Sequence, residues 1–410
     1  MVSGTQVLNE RQMRIAVVIS AAILFGLVLV NALALRTLTH DFTNVYAAAR
    51  IVSQGEGARL YDLQKQAQVE EELFHWGGVF VYLHPPFEAW LFAPLALLPY
   101  TAAYVIWGAV NIVLWVFFVY LLRPYVLVPK HPLQYLLLCF VFFPVWIALM
   151  QGQTSILLLV LLSLAFVCLK RRRDGWAGVF LGLGLFKFPI VAPLALIFLL
   201  KGKWKLVAGF TWAAFMLGVV SIIAVGRAGM IGYMNLLLDT MRRPTYPPYG
   251  IDVALMPNLR GFFHVILLPV LPGSAVNGVV VLASAFLIGY VAWRWRPEGP
   301  GEDPSLDRMF AAALAISEVT AYYLLIHDLS PMLLAILLTV GPARYPEGSF
   351  WRLVGMATVA ALYVIPACLL VSGVRQMVML APVLVLLAWA AMAGNASGVS
   401  PSNNVYADVD

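Results

Sequence analysis

Long uninterrupted apolar segments, separated by shorter polar ones, dominate the chain. The first extends from Ile15 to Leu35, and its length is close to the roughly 20 residues with which an α-helix crosses about 30 Å of hydrocarbon. Further spans are predicted at 101–122, 133–149, 154–169, 206–225, 275–293, 308–326, 353–371 and 377–393. The pattern predicts an all-α fold, a polytopic transmembrane helical bundle.

Shorter apolar segments, broken by Pro or Gly, lie between these spans at 85–98, 175–187, 189–200 and 329–341. Half-length helices are tolerated in a membrane only where they pack inside protein or line a cavity. We therefore expect roughly 10–13 spans, including broken or re-entrant half-helices.

Composition agrees with this class. Hydrophobic residues make up 62% of the 410 positions and charged residues 11%, whereas a soluble domain carries about 25% charged residues. The net charge of +6 comes from short clusters beside the spans, "KRRRD" at 170–174, "KGKWK" at 201–205 and "RWR" at 294–296. Such clusters are typical of cytoplasmic loops, so we expect no nucleic-acid binding.

The basic clusters also predict the topology. If all three are cytoplasmic, the segment 175–200 enters the membrane and returns, reversing at "FKFP" around Lys187. The same parity places a first loop, 36–84, and a second large loop, 226–274, on the extracytoplasmic side. Segment 85–98 is then re-entrant.

We expect a single transmembrane domain over 1–393 in the plasma (inner) membrane and a disordered tail over 394–410. Arg11 and Arg14 before the first apolar run also fit a cleaved signal peptide, but the run is long enough to span, which favours an uncleaved helix. The three cysteines lie in apolar spans without a CxxC pair and are interpreted as small buried hydrophobic residues.

Titratable residues gather at the predicted extracytoplasmic helix ends. Asp41 follows the first span, where it either caps a short helix over 42–53 or is available as a general base. His84 and Glu88 are four residues apart and would share a helical face. Lys187 interrupts an apolar stretch, and a buried lysine there needs an anionic partner.

Three further motifs lie on the same side. "QGQ" at 151–153 supplies Gln153, an amide able to hydrogen-bond sugar hydroxyls. "MPNLRGFFH" supplies Asn258 and Arg260, and arginine binds phosphate through two parallel hydrogen bonds. "HDLS" supplies adjacent His327 and Asp328. A polar turn, a solvated loop and a helix cap are the structural alternatives for the three motifs.

The order of these motifs resembles glycosyltransferase family 87, which consists of polyprenol-phosphate-mannose-dependent enzymes of the GT-C superfamily. The resemblance is carried by "YAAARIVSQGEGARLYD", "YLHPPF", "APLALLP", "QGQTSILLL", "GVFLGLGLFKFP", "MPNLRG" and "HDLS". It covers about residues 10 to 390. His84 departs from the pattern, since an aromatic residue is expected there.

The resemblance implies a hexosyltransferase, a mannosyltransferase by analogy, that takes its sugar from a polyprenyl-phosphate donor without a nucleotide and requires no cofactor. It leaves metal dependence open, and no metal ligands are predicted. Asp41 matches the catalytic base of the family, acting in an inverting displacement. We expect His327, Arg260 and Lys187 to bind the donor phosphate. The remaining candidates are predicted substrate contacts: Gln153, Asn258, His84, Glu88 and Asp328.

The expected partners are the lipid bilayer, the polyprenyl-phosphate-linked sugar and a glycolipid, glycan or protein acceptor. Two other functions remain open from the residues alone. A proton-coupled transporter would use His327 and Asp328 as a relay. A flippase or ligase of lipid-linked glycans is the second alternative. P-loop, GxGxxG, HExxH and GxSxG motifs are missing from the sequence.

Overall fold

The computed structural model describes residues 4–34, 41–75, 80–126, 132–242, 252–295, 305–339, 349–371 and 377–393. Within these ranges the chain is helical and contains no strand. The α-helices are α1 (Gly4–Ala34), α2 (Asp41–Ser53), α3 (Leu63–Phe74), α4 (Pro86–Phe92), α5 (Tyr100–Leu122), α6 (Pro132–Val141), α7 (Phe143–Gln151), α8 (Ser155–Lys170), α9 (Asp174–Leu183), α10 (Phe188–Leu200), α11 (Trp204–Arg242), α12 (Leu259–Leu267), α13 (Gly273–Arg294), α14 (Leu306–Thr320), α15 (Met332–Thr339), α16 (Phe350–Val371) and α17 (Leu380–Ala393).

Six helical stretches of the described chain are long and apolar enough to cross a membrane. They are Glu10–Leu33, Tyr100–Tyr125, Asp174–Leu200, Trp204–Thr240, Gly273–Arg294 and Phe350–Leu369. Helices α6 and α7 form a further stretch that is bent by 52°. The predicted fold class, an all-helical polytopic membrane protein, is confirmed.

Segment 174–200 qualifies as one span by length and composition, but its geometry is that of a hairpin. A straight helix of that length would separate its ends by about 40 Å. Instead, Lys203 Nζ lies 3.8 Å from Asp174 Oδ2, so the chain leaves α10 beside the start of α9. The backbone departs from helical angles at Lys187 (φ −112°, ψ 52°). The predicted reversal around Lys187 is therefore confirmed.

A close approach between α9 and α11 holds the hairpin. A Cβ on Gly178 would lie 1.9 Å from the carbonyl oxygen of Leu206, and one on Gly209 would lie 2.0 Å from that of Gly175. These glycines allow backbone-to-backbone packing, as small residues do between membrane helices. The hairpin tip is thereby fixed relative to the long helix α11.

The second predicted loop, 226–274, is largely helical, which differs from the expectation. Gly226 (φ 64°) kinks α11 at the predicted end of the 206–225 span, and the chain continues as helix to Arg242. Beyond the kink, Tyr233 packs on Tyr61 with ring centroids 4.9 Å apart. One face of the helix, which carries Tyr233 and Leu236, is buried, whereas Ile231, Met234 and Leu238 are exposed. Packing of that one face against the first loop favours the helix.

Two predicted spans are shorter or more bent than the apolar pattern indicates. The span at 133–149 breaks between α6 and α7, where Pro144 occupies the first turn of the second helix. The span at 308–326 ends at Thr320, and non-helical residues lead from there to a short 3₁₀ turn over Ile326–Leu329. This break brings His327 and Asp328 into the protein interior.

Segment 85–98 contains no helix long enough to cross a membrane, and its re-entrant position stays a prediction. Its helix α4 has seven residues, about 10 Å in length. The Tyr46 hydroxyl donates to the carbonyl oxygen of Leu98 (2.6 Å), and Arg50 Nη1 donates to that of Ala96 (2.9 Å). Helix α2 thus holds the segment on the side where the chain left α1. The tail over 394–410 lies outside the described residues.

Candidate functional site

A cavity of about 320 Å³ lies where α2, the hairpin tip and the break after α14 meet. Six of the predicted site residues line it: Asp41, His84, Gln153, Lys187, His327 and Asp328. The rest of the lining is mainly apolar and aromatic, with Phe80, Phe186, Phe188, Ile190, Leu237 and Tyr323 among its members. The cavity therefore combines a polar cluster with an apolar wall, as ligand sites commonly do.

Asp41 is the first residue of α2, where the partial positive charge of the helix N-terminus favours a carboxylate. Its Oδ2 atom accepts a hydrogen bond from Gln153 Nε2 at 2.6 Å and lies 3.5 Å from His327 Nδ1. No donor among the residues of the described ranges reaches Oδ1. The side chain is 24% exposed, so one carboxylate oxygen is held and the other is open to the cavity.

Lys187 projects from the hairpin tip and is buried, at 7% exposure. Its Nζ lies 2.8 Å from Asp328 Oδ1 and donates to Gln153 Oε1 at 3.0 Å. A buried ammonium is tolerated only with such partners. Since an ammonium carries three N–H donors, one remains for a ligand.

Asp328 lines the cavity, but its oxygens are occupied by protein groups. Besides Lys187, Ser155 Oγ donates to Oδ1 at 3.2 Å, and the backbone N–H of Leu325 donates to Oδ2 at 3.0 Å. His327 Nε2 lies 3.4 Å from the same Oδ2. The geometry is that of a counter-ion for Lys187 and does not support the predicted substrate contact.

His327 lies between the two aspartates. Its Nδ1 atom is 2.8 Å from Gln151 Oε1, and its two ring nitrogens face Asp41 and Asp328 respectively. All three neighbouring groups present acceptor oxygens to the ring. The imidazole is therefore placed to donate hydrogen bonds at the floor of the cavity.

His84 and Glu88 meet, with Nδ1 and Oε2 2.7 Å apart. They do not share a helical face as predicted, because α4 begins only at Pro86 and His84 precedes it. His84 lines the cavity and stacks on Tyr82, with ring centroids 5.5 Å apart. Glu88 is buried behind it and accepts from the Tyr82 hydroxyl (3.2 Å) and from Thr154 Oγ1 (3.3 Å). Glu88 is therefore placed to support His84 rather than to touch a substrate directly.

Asn258 and Arg260 are not brought to the cavity lining. Asn258 caps α12, since its side-chain oxygen accepts from Gly261 N at 2.8 Å, and its Nδ2 donates to the carbonyl oxygen of Ala321 at 2.9 Å. The Arg260 guanidinium lies 4.2 Å from the ring centroid of Tyr322, a lining residue. The geometry does not support direct sugar or phosphate contacts by these two residues.

Several residues of the site escaped sequence reasoning. Gln151 orients His327, Ser155 contacts Asp328, and Asn44 Nδ2 donates to the carbonyl oxygen of Phe80 on the cavity wall. Gln151 could have been found, because it belongs to the same "QGQ" motif as Gln153. Ser155 and Asn44 carry no comparable signal, since a polar residue at a helix start is ordinary.

A buried carboxylate holds the same wall from outside. Glu70 in α3 accepts a hydrogen bond from the backbone N–H of Phe80 at 2.7 Å. Burial raises the pKa of Glu70 to about 7, although the bond from Phe80 opposes the shift. The wall is thus anchored by a group that titrates near neutrality.

Residues 82–326 match glycosyltransferase family 87, which is more than half of the chain. The match includes His84, Gln153 and Lys187, and it leaves out Asp41, His327 and Asp328. No curated protein and no solved structure gives a significant match. Family membership favours a sugar transferase over a transporter for the cavity.

Proposed function

We propose a donor and a mechanism for this chain, which belongs to glycosyltransferase family 87 and is an integral membrane glycosyltransferase. The donor is a polyprenyl phosphate sugar, with mannose the first hexose to test. The acceptor is a lipid, glycan or protein hydroxyl on the extracytoplasmic side. Transfer proceeds by a single displacement with inversion at the anomeric carbon.

The open oxygen of Asp41 is the observation that carries the proposal. Two aspartates line the cavity, and Asp328 has its oxygens engaged by Lys187, Ser155 and Leu325 N. Among the residues that the structure describes, the partners of Asp41 reach its Oδ2 and not its Oδ1. A general base must reach the proton that it removes, and Asp41 is the carboxylate free to do so.

In the proposed step the acceptor hydroxyl approaches Asp41 Oδ1 and gives up its proton to that oxygen. The hydroxyl oxygen forms the new bond to the anomeric carbon while the bond from that carbon to the phosphate oxygen breaks. Charge at the sugar ring is oxocarbenium-like, as in glycoside hydrolysis. The products are the glycosylated acceptor and polyprenyl phosphate, and the proton leaves Asp41 to solvent.

The leaving phosphate needs stabilisation of its negative charge rather than protonation. The remaining N–H donor of Lys187 is the cavity group suited to this role. His327 lines the cavity beside it, but its two ring nitrogens face protein acceptors. Arg260 does not contact the phosphate directly in this proposal. Its guanidinium packs on Tyr322 and so holds the ring of that lining residue in place. The apolar wall that includes Phe186, Phe188 and Leu237 suits the hydrocarbon chain next to the phosphate.

The proposed side of the membrane follows from the hairpin. The cluster 170–173 lies at the far end of α8 and the start of α9, opposite the hairpin tip that carries Lys187. Helix α9 has ten residues, so its two ends are about 15 Å apart. Positive charge is typical of cytoplasmic ends, so the tip lies about halfway across a hydrocarbon core of roughly 30 Å. We propose that the cavity opens from there to the extracytoplasmic side of the plasma membrane.

Purified protein in detergent, incubated with polyprenyl-phosphate mannose and a panel of envelope lipids, tests the proposal by mass spectrometry. We expect an added hexose with wild type and none with D41N. Asp62→Asn is the matched control, because asparagine also caps α3. Full transfer by D41N would rule out Asp41 as the base. Substrate counterflow in liposomes without a new glycosidic bond would point to transport instead.

A further inference from the structure

We infer that Gln153 is a positioning residue that holds Asp41 and connects it to Lys187. The inference rests on the proposed function and assigns Gln153 a role other than the predicted sugar contact. Gln153 lies between two charged groups that do not touch each other. Its side chain is the link through which the ammonium acts on the base.

The partners of Gln153 determine the orientation of its amide. An ammonium can only donate hydrogen bonds, and an ionised carboxylate can only accept them. The amide oxygen must therefore face Lys187 Nζ, at 3.0 Å, and the amide nitrogen must face Asp41 Oδ2, at 2.6 Å. Exchanging the two amide atoms would set like groups against each other at both ends.

The backbone around Gln153 is fixed as tightly as its side chain. Gly152 adopts a left-handed conformation (φ 65°), and its carbonyl oxygen accepts from Trp107 Nε1 at 2.9 Å. The N–H of Gln153 donates to the carbonyl oxygen of Ala148 at 2.8 Å, and Asn111 Nδ2 donates to the carbonyl oxygen of Gln153 at 3.4 Å. The amide is therefore presented in one position before any substrate arrives.

An amide between the two charges has a physical advantage over a direct ion pair. Direct contact with Lys187 would occupy Asp41 and make its carboxylate a poorer proton acceptor. In the observed arrangement Asp328 balances the ammonium at 2.8 Å, and Gln153 passes on only a polarised hydrogen bond. Asp41 stays oriented, and its Oδ1 remains free for the acceptor hydroxyl.

Replacement of Gln153 tests the inference through kcat, KM and the pH profile. Gln153→Met keeps the volume and removes both hydrogen bonds, and Gln153→Ala serves as a second variant. We expect kcat to fall about 10- to 100-fold with KM for the donor little changed, since a misplaced base affects the chemical step. We also expect the acid limb of the kcat profile to move to higher pH.

Gln153→Glu provides a graded comparison. It places a second carboxylate beside Asp41, and two such groups share a proton. The acid limb should therefore lie at the highest pH in Gln153→Glu, lower in Gln153→Met and lowest in wild type. If Gln153 only stabilised the fold, the variants would give less folded protein, but their acid limbs would not follow this order of pH. The exposed Gln68, which contacts Glu72 on α3, supplies the control Gln68→Glu.

The two possible failures can be told apart. If wild type transfers no sugar to any acceptor, the proposed function fails and this inference fails with it. If wild type is active and D41N is not, but Gln153→Met keeps the wild-type kcat and acid limb, the inference alone is overturned. A raised KM with an unchanged kcat would also overturn it and return Gln153 to the role of a sugar contact.

Discussion

Lys187 and Asp328 form a buried ion pair, with Nζ and Oδ1 2.8 Å apart, that joins the tip of the α9–α10 hairpin to the turn after α14. The two residues are far apart in the sequence, and both are buried. The pair closes the cavity at the point where two broken helices meet. It also leaves Asp41 as the carboxylate available for chemistry.

Breaking this ion pair should destabilise the protein strongly. Lys187→Met and Asp328→Asn each leave one buried polar or charged group without its partner, at a cost of about 3–5 kcal/mol for a buried pair. The double variant Lys187→Met/Asp328→Asn should lose less than the sum of the two single losses. Thermal unfolding in one detergent compares them, and additive losses would show that the pair is not coupled.

Loss of the base should be a loss of chemistry and not of fold. D41N keeps an oxygen acceptor for Gln153 but cannot take a proton, so kcat should fall by about 10²- to 10⁴-fold. The apparent unfolding temperature should stay near that of wild type, because Asp41 is part-exposed. If D41N is inactive because it does not fold, the role of Asp41 as base is tested instead by the pH profiles of the Gln153 variants.

Gly152 should resist replacement by alanine. Its φ of 65° disfavours any side chain, and a Cβ there would lie 2.8 Å from the Cβ of Phe42. We expect Gly152→Ala to cost about 2–4 kcal/mol from strain and overpacking together. Gly218→Ala is the control, because a Cβ there meets nothing within 4 Å. Equal stability of the two variants would contradict the proposed rigidity of the "QGQ" turn.

Stability should depend on pH through Glu70. Its pKa is about 7 in the folded protein against an ordinary 4.5, so the folded state holds the proton more tightly than the unfolded one. This contribution is fully present below about pH 4.5 and is lost as pH rises through about 7. Glu70→Gln should match wild type near pH 5 and exceed it near pH 8, by at most about 3 kcal/mol. Glu72→Gln, on the exposed side of α3, should not change the pH dependence of unfolding.

Asn258 should prove structural rather than substrate-binding. Asn258→Ala removes the cap of α12 and the bond to Ala321, at a cost of about 1–2 kcal/mol. Asn258→Asp keeps an oxygen for Gly261 N and should lose less. KM for the sugar donor should be the same in both variants. A KM that rises while stability is unchanged would restore the predicted sugar contact.

Periodicity and charge were sufficient to predict the class, most spans and the reversal at Lys187. The reversal was predictable because basic clusters lie at both ends of the apolar stretch that contains Lys187. If both clusters are cytoplasmic, the chain between them must enter the membrane and return. The helical character of 226–242 was not predictable, since it depends on burial against the first loop, a contact distant in sequence. Local pattern does not carry that information.

Six of the predicted site residues line the cavity, but the sequence did not predict the contacts among them. Asp41, His84, Gln153, Lys187, His327 and Asp328 do meet in one cavity. Sequence alone does not tell that Asp328 is the counter-ion of Lys187 and that Asp41 is not. This depends on distances between segments that are far apart in the chain. Asn258 and Arg260 were assigned from residue type and from the "MPNLRG" motif, and neither reveals a helix cap or a stacked guanidinium.

The hairpin has a consequence for the order in which the protein is made. Lys187 leaves the ribosome long before Asp328, so its ammonium enters the membrane without the carboxylate that later balances it. The growing chain must therefore hold this ammonium in the membrane without its counter-ion until the segment with Asp328 is inserted. The cavity is thus completed by the last third of the chain, and a nascent protein lacking that part has no assembled site.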